Sequence, residues 1–184
     1  FYSKLGMENL SFLPKNHLAL ERIVPTENDY EFRSQLLKGD VHDMGAAMFG
    51  GIGGHAGLFS NANDLAKIMQ LFLNNGSYGG EYYFSEKIVK EFTKCQFCED
   101  ENRRGLGFDK PVLENQEGGP TCKCVSSLSF GHSGFTGTLA WADPETQIIY
   151  IFLSNRIHPS SDNKKLLDLN VRTNIMEQIF KYNE

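Results

Sequence analysis

Apolar residues recur on two different periods along this chain. Over residues 60–75, Leu65, Ile68, Met69, Phe72 and Leu73 fall at i, i+3, i+4, i+7 and i+8, the stripe of one helical face. Ser60 or Asn61 can cap that helix, Asp64 sits in its first turn, and Asn75-Gly76 closes it. A second helix runs from a Ser85 cap through Ile88, Val89 and Phe92. A last one, over about 163–181, is expected to bury Leu166, Leu167, Val171, Ile175 and Ile179. Between these helices, at about 126–155, aromatic and β-branched residues flank a Gly-bearing corner, and Asp143-Pro144-Glu145-Thr146 reads as a turn with Pro second. That segment is a strand followed by a β-hairpin. Residues 1–24 show no clean period. Residues 25–59 read as mostly irregular, with a short helical turn at Ala46-Ala47-Met48-Phe49, and residues 95–124 read as loop.

The sheet segment opens on Ser129-Phe130-Gly131-His132-Ser133-Gly134-Phe135-Thr136-Gly137-Thr138. The polar pair His132-Ser133 is followed at once by a residue without a side chain, and glycine in a strand marks a close approach of ligand or backbone. Relief of crowding at a sheet corner accounts for the same glycines equally well. Length and composition narrow the rest. The 184 residues suit one domain, and 40% apolar with 22% charged residues is a soluble globular composition. A net charge of −5 without a Lys/Arg-rich run argues against nucleic acid as the main partner. No apolar run approaches the roughly 18 residues of a membrane span, and no signal peptide is visible. Position 1 is Phe, so the chain reads as a piece of something longer.

Several motifs compete. Gly51-x-Gly53-x-x-Ala56 imitates a dinucleotide fingerprint but lacks the preceding strand and the ribose-binding acid about 20 residues on. His42, Asp43 and His55 can be drawn as metal ligands, although loop histidines satisfied by neighbours are commoner. Cys95-x-x-Cys98 and Cys122-x-Cys124 could close a structural zinc site, form two disulfides, or stay free; either cross-link would tie the 95–98 loop to the start of the key strand. Ser161-x-x-Lys164 and Ser161-Asp162-Asn163 match two signatures of penicillin-recognising serine enzymes. They overlap on one serine in a polar run before a helix, where Ser and Asp serve as caps.

Phe130-Gly131-His132-Ser133-Gly134-Phe135-Thr136-Gly137 resembles the third motif of the serine β-lactamase and penicillin-binding-protein superfamily. More narrowly it looks like the class C-like esterases and hydrolases, in which His often replaces the Lys of Lys-Thr-Gly. Leu5-Gly6-Met7, Val41-His42-Asp43, Gly54-His55-Ala56-Gly57-Leu58-Phe59-Ser60, Asn63-Asp64-Leu65-Ala66, Gly105-Leu106-Gly107-Phe108, Trp141-Ala142-Asp143-Pro144 and Leu153-Ser154-Asn155-Arg156 resemble the same group in the same order. Within it the chain looks most like domains of Bacteroidetes-type bacteria, some fused behind a β-N-acetylhexosaminidase.

The resemblance implies an α+β fold, a helical region (1–125) packed on an antiparallel sheet (126–184) with strands at about 126–136, 138–143 and 147–154 and the terminal helix on one sheet face. It implies acyl transfer, in which a Ser activated by a Lys attacks a carbonyl and a Tyr helps move protons. His132 would orient substrate or assist proton transfer, Ser133 would donate a hydrogen bond beside Gly134, and the Phe135 N–H would be half of an oxyanion hole. No cofactor is required. The family's Ser-x-x-Lys and Tyr-x-Asn elements precede its Leu-Gly-Met segment, which here follows four residues, and the chain contains no Tyr-x-Asn. The chain is therefore expected to be the C-terminal half of such a domain, inactive without its N-terminal half. The parent would hydrolyse an ester, a peptide amide or a β-lactam in the periplasm or outside the cell. His132 in place of Lys removes a fixed cation from the carboxylate-binding position, which favours an esterase or peptidase. The alternative is a non-catalytic module, appended to a glycosidase, that holds a cell-wall peptide or glycan.

Overall fold

Strands β7 (Phe130–Ser133), β8 (Leu139–Asp143) and β9 (Ile148–Phe152) form an antiparallel sheet in that order, and the molecule is layered on its two faces. The computed structural model describes residues 1–113 and 118–182, so part of the loop read at 95–124 lies outside the described residues. Alternation along β8 sorts the core. Leu139 and Trp141 pack with Tyr150 against Met176 and Phe180 of helix α5 (Val171–Tyr182). On the other face Ala142 and Phe130 meet Met69 and Leu73 of helix α2 (Ala62–Leu73), with Phe72, Phe108, Ala140, Ile149 and Ile151 at the margin. The period of two thus delivers two apolar faces, each covered by a helix. Trp141 is fully buried, and its indole N–H is satisfied by Ser129 Oγ at 3.0 Å.

Helix α2 is buried more widely than one stripe. Leu71, outside the periodic set, packs with Leu5, Met7 and Leu10, so the helix lies between the sheet and the N-terminal segment. Asn61 caps it, accepting from the Asp64 N–H at 2.9 Å. Asp64 is itself buried; it accepts from the Asn9 N–H at 2.8 Å and pairs with Lys67 at 3.2 Å. Helix α3 (Glu86–Thr93) starts at the Ser85 cap, whose Oγ accepts from the Ile88 N–H at 3.4 Å.

Two segments depart from the sequence expectation. Residues 25–38, read as irregular, form a hairpin of β2 (Pro25–Asp29) with β3 (Gln35–Lys38). Its polarity is inverted: Thr26 and Asp29 are buried, whereas Tyr30, Phe32 and Leu36 are exposed, so no alternation signalled it. Asp29 builds the turn, accepting from the N–H groups of Glu31, Phe32 and Arg33 at 3.1, 2.9 and 3.1 Å. The terminal helix is the other departure. It is broken at Asn170, whose φ is 49°, into α4 (Lys165–Asp168) and α5. The break turns the buried face to Met176 and Phe180, leaving Leu167, Ile175 and Ile179 at 40, 42 and 36% exposure. The remaining elements are short: helix α1 (Met44–Met48) and the two-residue pairs β1 (Ser11–Phe12) with β4 (Leu58–Phe59) and β5 (Ser77–Tyr78) with β6 (Glu81–Tyr82).

Candidate active-site wall

Strand β7 ends in the residues that carry the chemistry. Phe130 and Gly131 are buried, His132 is exposed and Ser133 is half-buried, so the strand runs from the core to the surface over four residues. Gly131 lets it pass under β8: a Cβ there would lie 2.2 Å from Ala140 O and 2.4 Å from the Trp141 ring. The turn 134–137 follows, closed by the Gly137 N–H on Gly134 O at 3.0 Å, with Gly137 at a φ of 100°. Crowding therefore does explain the glycines, and it also fixes where the wall stands.

The turn is held from two sides. Arg156 N–H donates to Thr136 O at 3.0 Å and Ser154 Oγ to Gly137 O at 2.9 Å, while Arg172 of α5 reaches Thr138 O at 3.2 Å. Burial, with Arg156 close by, lowers the Arg172 pKa. Phe135 projects from the turn, its ring stacked on His42 at 4.9 Å and 8°, with the Arg156 guanidinium 4.6 Å from its centroid. Among the described residues, no backbone acceptor takes the Phe135 N–H.

His42 is fixed in turn. Its Nδ1 lies 2.5 Å from Glu27, and Arg33 grips the backbone by donating to Val41 O at 2.6 Å and His42 O at 2.9 Å while pairing with Asp29 at 2.7 Å. His55 goes elsewhere, to Asp43 at 2.9 Å; Asp43 also caps α1 by accepting from Ala46 N–H at 2.7 Å, and that bond first, then His55, lowers its pKa. His55 thus pairs with Asp43 while His42 pairs with Glu27, and no group of three or more metal-ligating side chains exists among the described residues.

The opposite flank is built by residues 102–109. Arg104 bridges Asp109, Asp109 bridges Gly131, and Gly131 pairs with Trp141, which pairs with Tyr150; one cross-strand row runs from the surface into the core. Asp109 is buried. Arg103 pairs with its carboxylate at 3.0 Å, Arg104 at 3.6 Å, and Arg104 Nη1 also lies 3.2 Å from His132 Nε2. His132 Nδ1 sits 2.8 Å from Ser133 O, which can only accept. The tautomer that satisfies both neighbours has its hydrogen on Nδ1 and its lone pair on Nε2.

The other candidates fall outside this wall. Cys95 is joined to Cys98 and Cys122 to Cys124, each a local disulfide, so no sulfur bridge ties the 95–98 loop to the segment before β7. In the Ser160–Lys165 run, Ser160 Oγ donates to Asp162 at 2.8 Å and Asn163 accepts from the Lys165 N–H at 3.1 Å. Ser161 offers its carbonyl to Arg156 at 3.3 Å. Sequence reasoning missed Glu27, Arg33, Arg104 and Arg156. Arg104, directly before Gly105-Leu106-Gly107-Phe108, and Arg156, last in Leu153-Ser154-Asn155-Arg156, stand beside or within segments that carry the resemblance, whereas Glu27 and Arg33 left no signal.

The family model described as Beta-lactamase matches residues 4–174. The chain belongs to the Beta-lactamase family. Proteins of Salmonella paratyphi B and Salmonella newport, each named "Putative D-alanyl-D-alanine carboxypeptidase", are 39% identical over 136 residues, 73% of this chain and 31% of theirs. This Beta-lactamase-family chain thus spans under a third of the length of the curated relatives it matches. A Mycobacterium bovis β-lactamase crystal structure is 22% identical with a TM-score of 0.43, covering 61% of this chain and 46% of that one.

Proposed function

We propose that this chain supplies the third-motif wall of a serine acyl-transfer hydrolase. The observation that supports it best is the Phe135 N–H without a backbone acceptor, on a braced turn directly after His132-Ser133. A braced N–H that no backbone acceptor among the described residues takes is what a developing oxyanion requires, because the donor then needs no reorganisation as charge appears. Ser133 contributes a hydroxyl beside it. His132, with Nε2 turned to Arg104, orients substrate and does not serve as the base.

The nucleophilic serine and its lysine are proposed to come from the N-terminal half of the same domain. That half has an edge to join: β9 pairs only with β8 among the described residues. The substrate is proposed to be an acyl-D-alanine peptide, in line with the names of the Salmonella relatives, or a related ester or β-lactam, met in the cell envelope. No helix among the described residues is long and apolar enough to cross a membrane.

Labelling the intact protein with a fluorophosphonate probe and mapping the peptide tests this. The expected adduct is on a serine outside residues 1–184. An adduct on Ser133 or Ser161 overturns the assignment of roles. No adduct anywhere overturns the hydrolase in favour of a module that binds cell-wall peptide.

A further inference from the structure

Of the large apolar side chains in the 25–38 hairpin only Leu37 is buried, while the charged Glu27, Asp29 and Arg33 are drawn inward, their side chains 12, 3 and 15% exposed. Sheltering charges destabilises a fold unless they are paired and hydrogen-bonded, and here the pairing converges on one imidazole. We infer that His42 is a positioning residue of the site: held by this hairpin, its ring is the shelf that sets the direction of the Phe135 N–H. The inference rests on the hydrolase reading above and adds to it the group through which the oxyanion donor is aimed.

The hairpin grips His42 by ring and by backbone. Glu27 lies 2.5 Å from its Nδ1. Arg33, anchored on Asp29 at 2.7 Å, donates to Val41 O at 2.6 Å and to His42 O at 2.9 Å. With one ring edge and the adjoining main chain both held, the plane of the imidazole is fixed. Its face meets the Phe135 ring at 4.9 Å between centroids and 8° between planes.

Phe135 depends on that plane. The peptide carrying its N–H follows Gly134, where no Cβ restricts rotation. The carbonyl end of this peptide is held, because Gly134 O accepts from the Gly137 N–H at 3.0 Å. The N–H end has no backbone acceptor among the described residues. Its tilt is therefore tied to φ of Phe135, and through the shared Cα to the aromatic ring. That ring is not held by a core, since Phe135 is 61% exposed. The His42 face and the Arg156 guanidinium, 4.6 Å from the ring centroid, hold it instead. An oxyanion donor aimed before charge develops is the preorganisation that acyl transfer needs.

The test compares wild type, His42→Ala, His42→Phe, Glu27→Leu and the His42→Phe/Glu27→Leu double variant in the intact protein, on a p-nitrophenyl ester. His42→Leu, which keeps volume without a flat ring, replaces His42→Ala should that variant not fold. His42→Ala is expected to lower kcat about thirtyfold with KM little changed, and His42→Phe to restore most of it. Glu27→Leu should lower kcat by less, and should add nothing in the His42→Phe background, because Glu27 acts through the imidazole. A loss carried by KM, an unchanged kcat in His42→Ala, or a His42→Phe no better than His42→Ala overturns the inference. The order parameter of the Phe135 amide, measured by NMR without substrate, separates it from the hydrolase reading. It is expected to fall from about 0.85 towards 0.6 in His42→Ala and to recover in His42→Phe. That fall and recovery in a protein whose wild type cleaves no ester removes the hydrolase and keeps the shelf. An order parameter unmoved by His42→Ala overturns the shelf, whatever the ester assay gives.

Discussion

Lys110 lies one residue beyond the Asp109 cluster, buried, with Nζ donating to Leu128 O at 2.9 Å just before β7. Burial pushes its pKa down from 10.5 to about 8, and the Asp143 carboxylate offsets only part of that. Between about 8 and 10.5 the unfolded chain holds a proton that the native chain has released, so stability rises with pH across this window. At pH 7 the buried charge is present and costs about 3 kcal/mol relative to an unshifted lysine, at 1.36 kcal/mol for each pH unit between the two values. Lys110→Met removes that cost and gives up one hydrogen bond, worth about 1 kcal/mol. The variant is therefore expected to be more stable than wild type by about 2 kcal/mol at pH 7, and to lose the advantage by about pH 10. Urea unfolding of both proteins at pH 7, 8, 9 and 10 measures it. Parallel pH dependence in the two proteins would refute the reasoning, because the window belongs to this one ammonium.

Two further outcomes follow from local geometry. Gly131→Ala places a methyl 2.2 Å from Ala140 O and 2.4 Å from the Trp141 ring, both immobile, and should cost about 2–3 kcal/mol with a matching fall in melting temperature; a melt within a degree of wild type sinks the close-approach account. Hydrogen bonds from Phe32 N–H and Arg33 hold Asp29 at about 2, down from 3.8, so its contribution is present above 3.8 and lost as pH falls through about 2. Asp29→Asn should therefore unfold more easily at neutral pH and converge on wild type in acid titrations near pH 2; a gap unchanged from pH 7 to 2 counts against it.

Where burial obeyed pattern, the chain announced its fold. The α2 stripe, the Ser85 cap and the alternation through Leu139–Phe152 needed only spacing, because apolar side chains there face one neighbour each way. The 25–38 hairpin was invisible because Asp29 and Arg33 stabilise it through hydrogen bonds while Tyr30, Phe32 and Leu36 face outward and Leu37 alone of its large apolar side chains is buried. The terminal helix was found but rotated, since one left-handed residue at Asn170 resets the phase of everything after it. The wall itself, His132 to Phe135, was readable as a motif. Its supports were not: Glu27 and Arg33 act through His42, which comes from far upstream to stack on Phe135, and Arg156 reaches the same ring from beyond β9, and such contacts depend on tertiary placement that no local period encodes.

The two disulfides span sequence separations of 3 and 2. Rings that small remove little freedom from an unfolded chain, about 1.5 kcal/mol each, against about 3.5 for a bridge closing roughly 25 residues between the two cysteine pairs. The sheet and its two covering helices can therefore assemble before any oxidant acts, and oxidation afterwards sets the shape of the exposed 95–98 loop and of the Cys122–Cys124 segment packed against the Leu139–Trp141–Tyr150 core. The first of these donates the Gln96 N–H to Arg104 O, so sulfur chemistry reaches the site as an adjustment of one arginine's footing and leaves the architecture untouched.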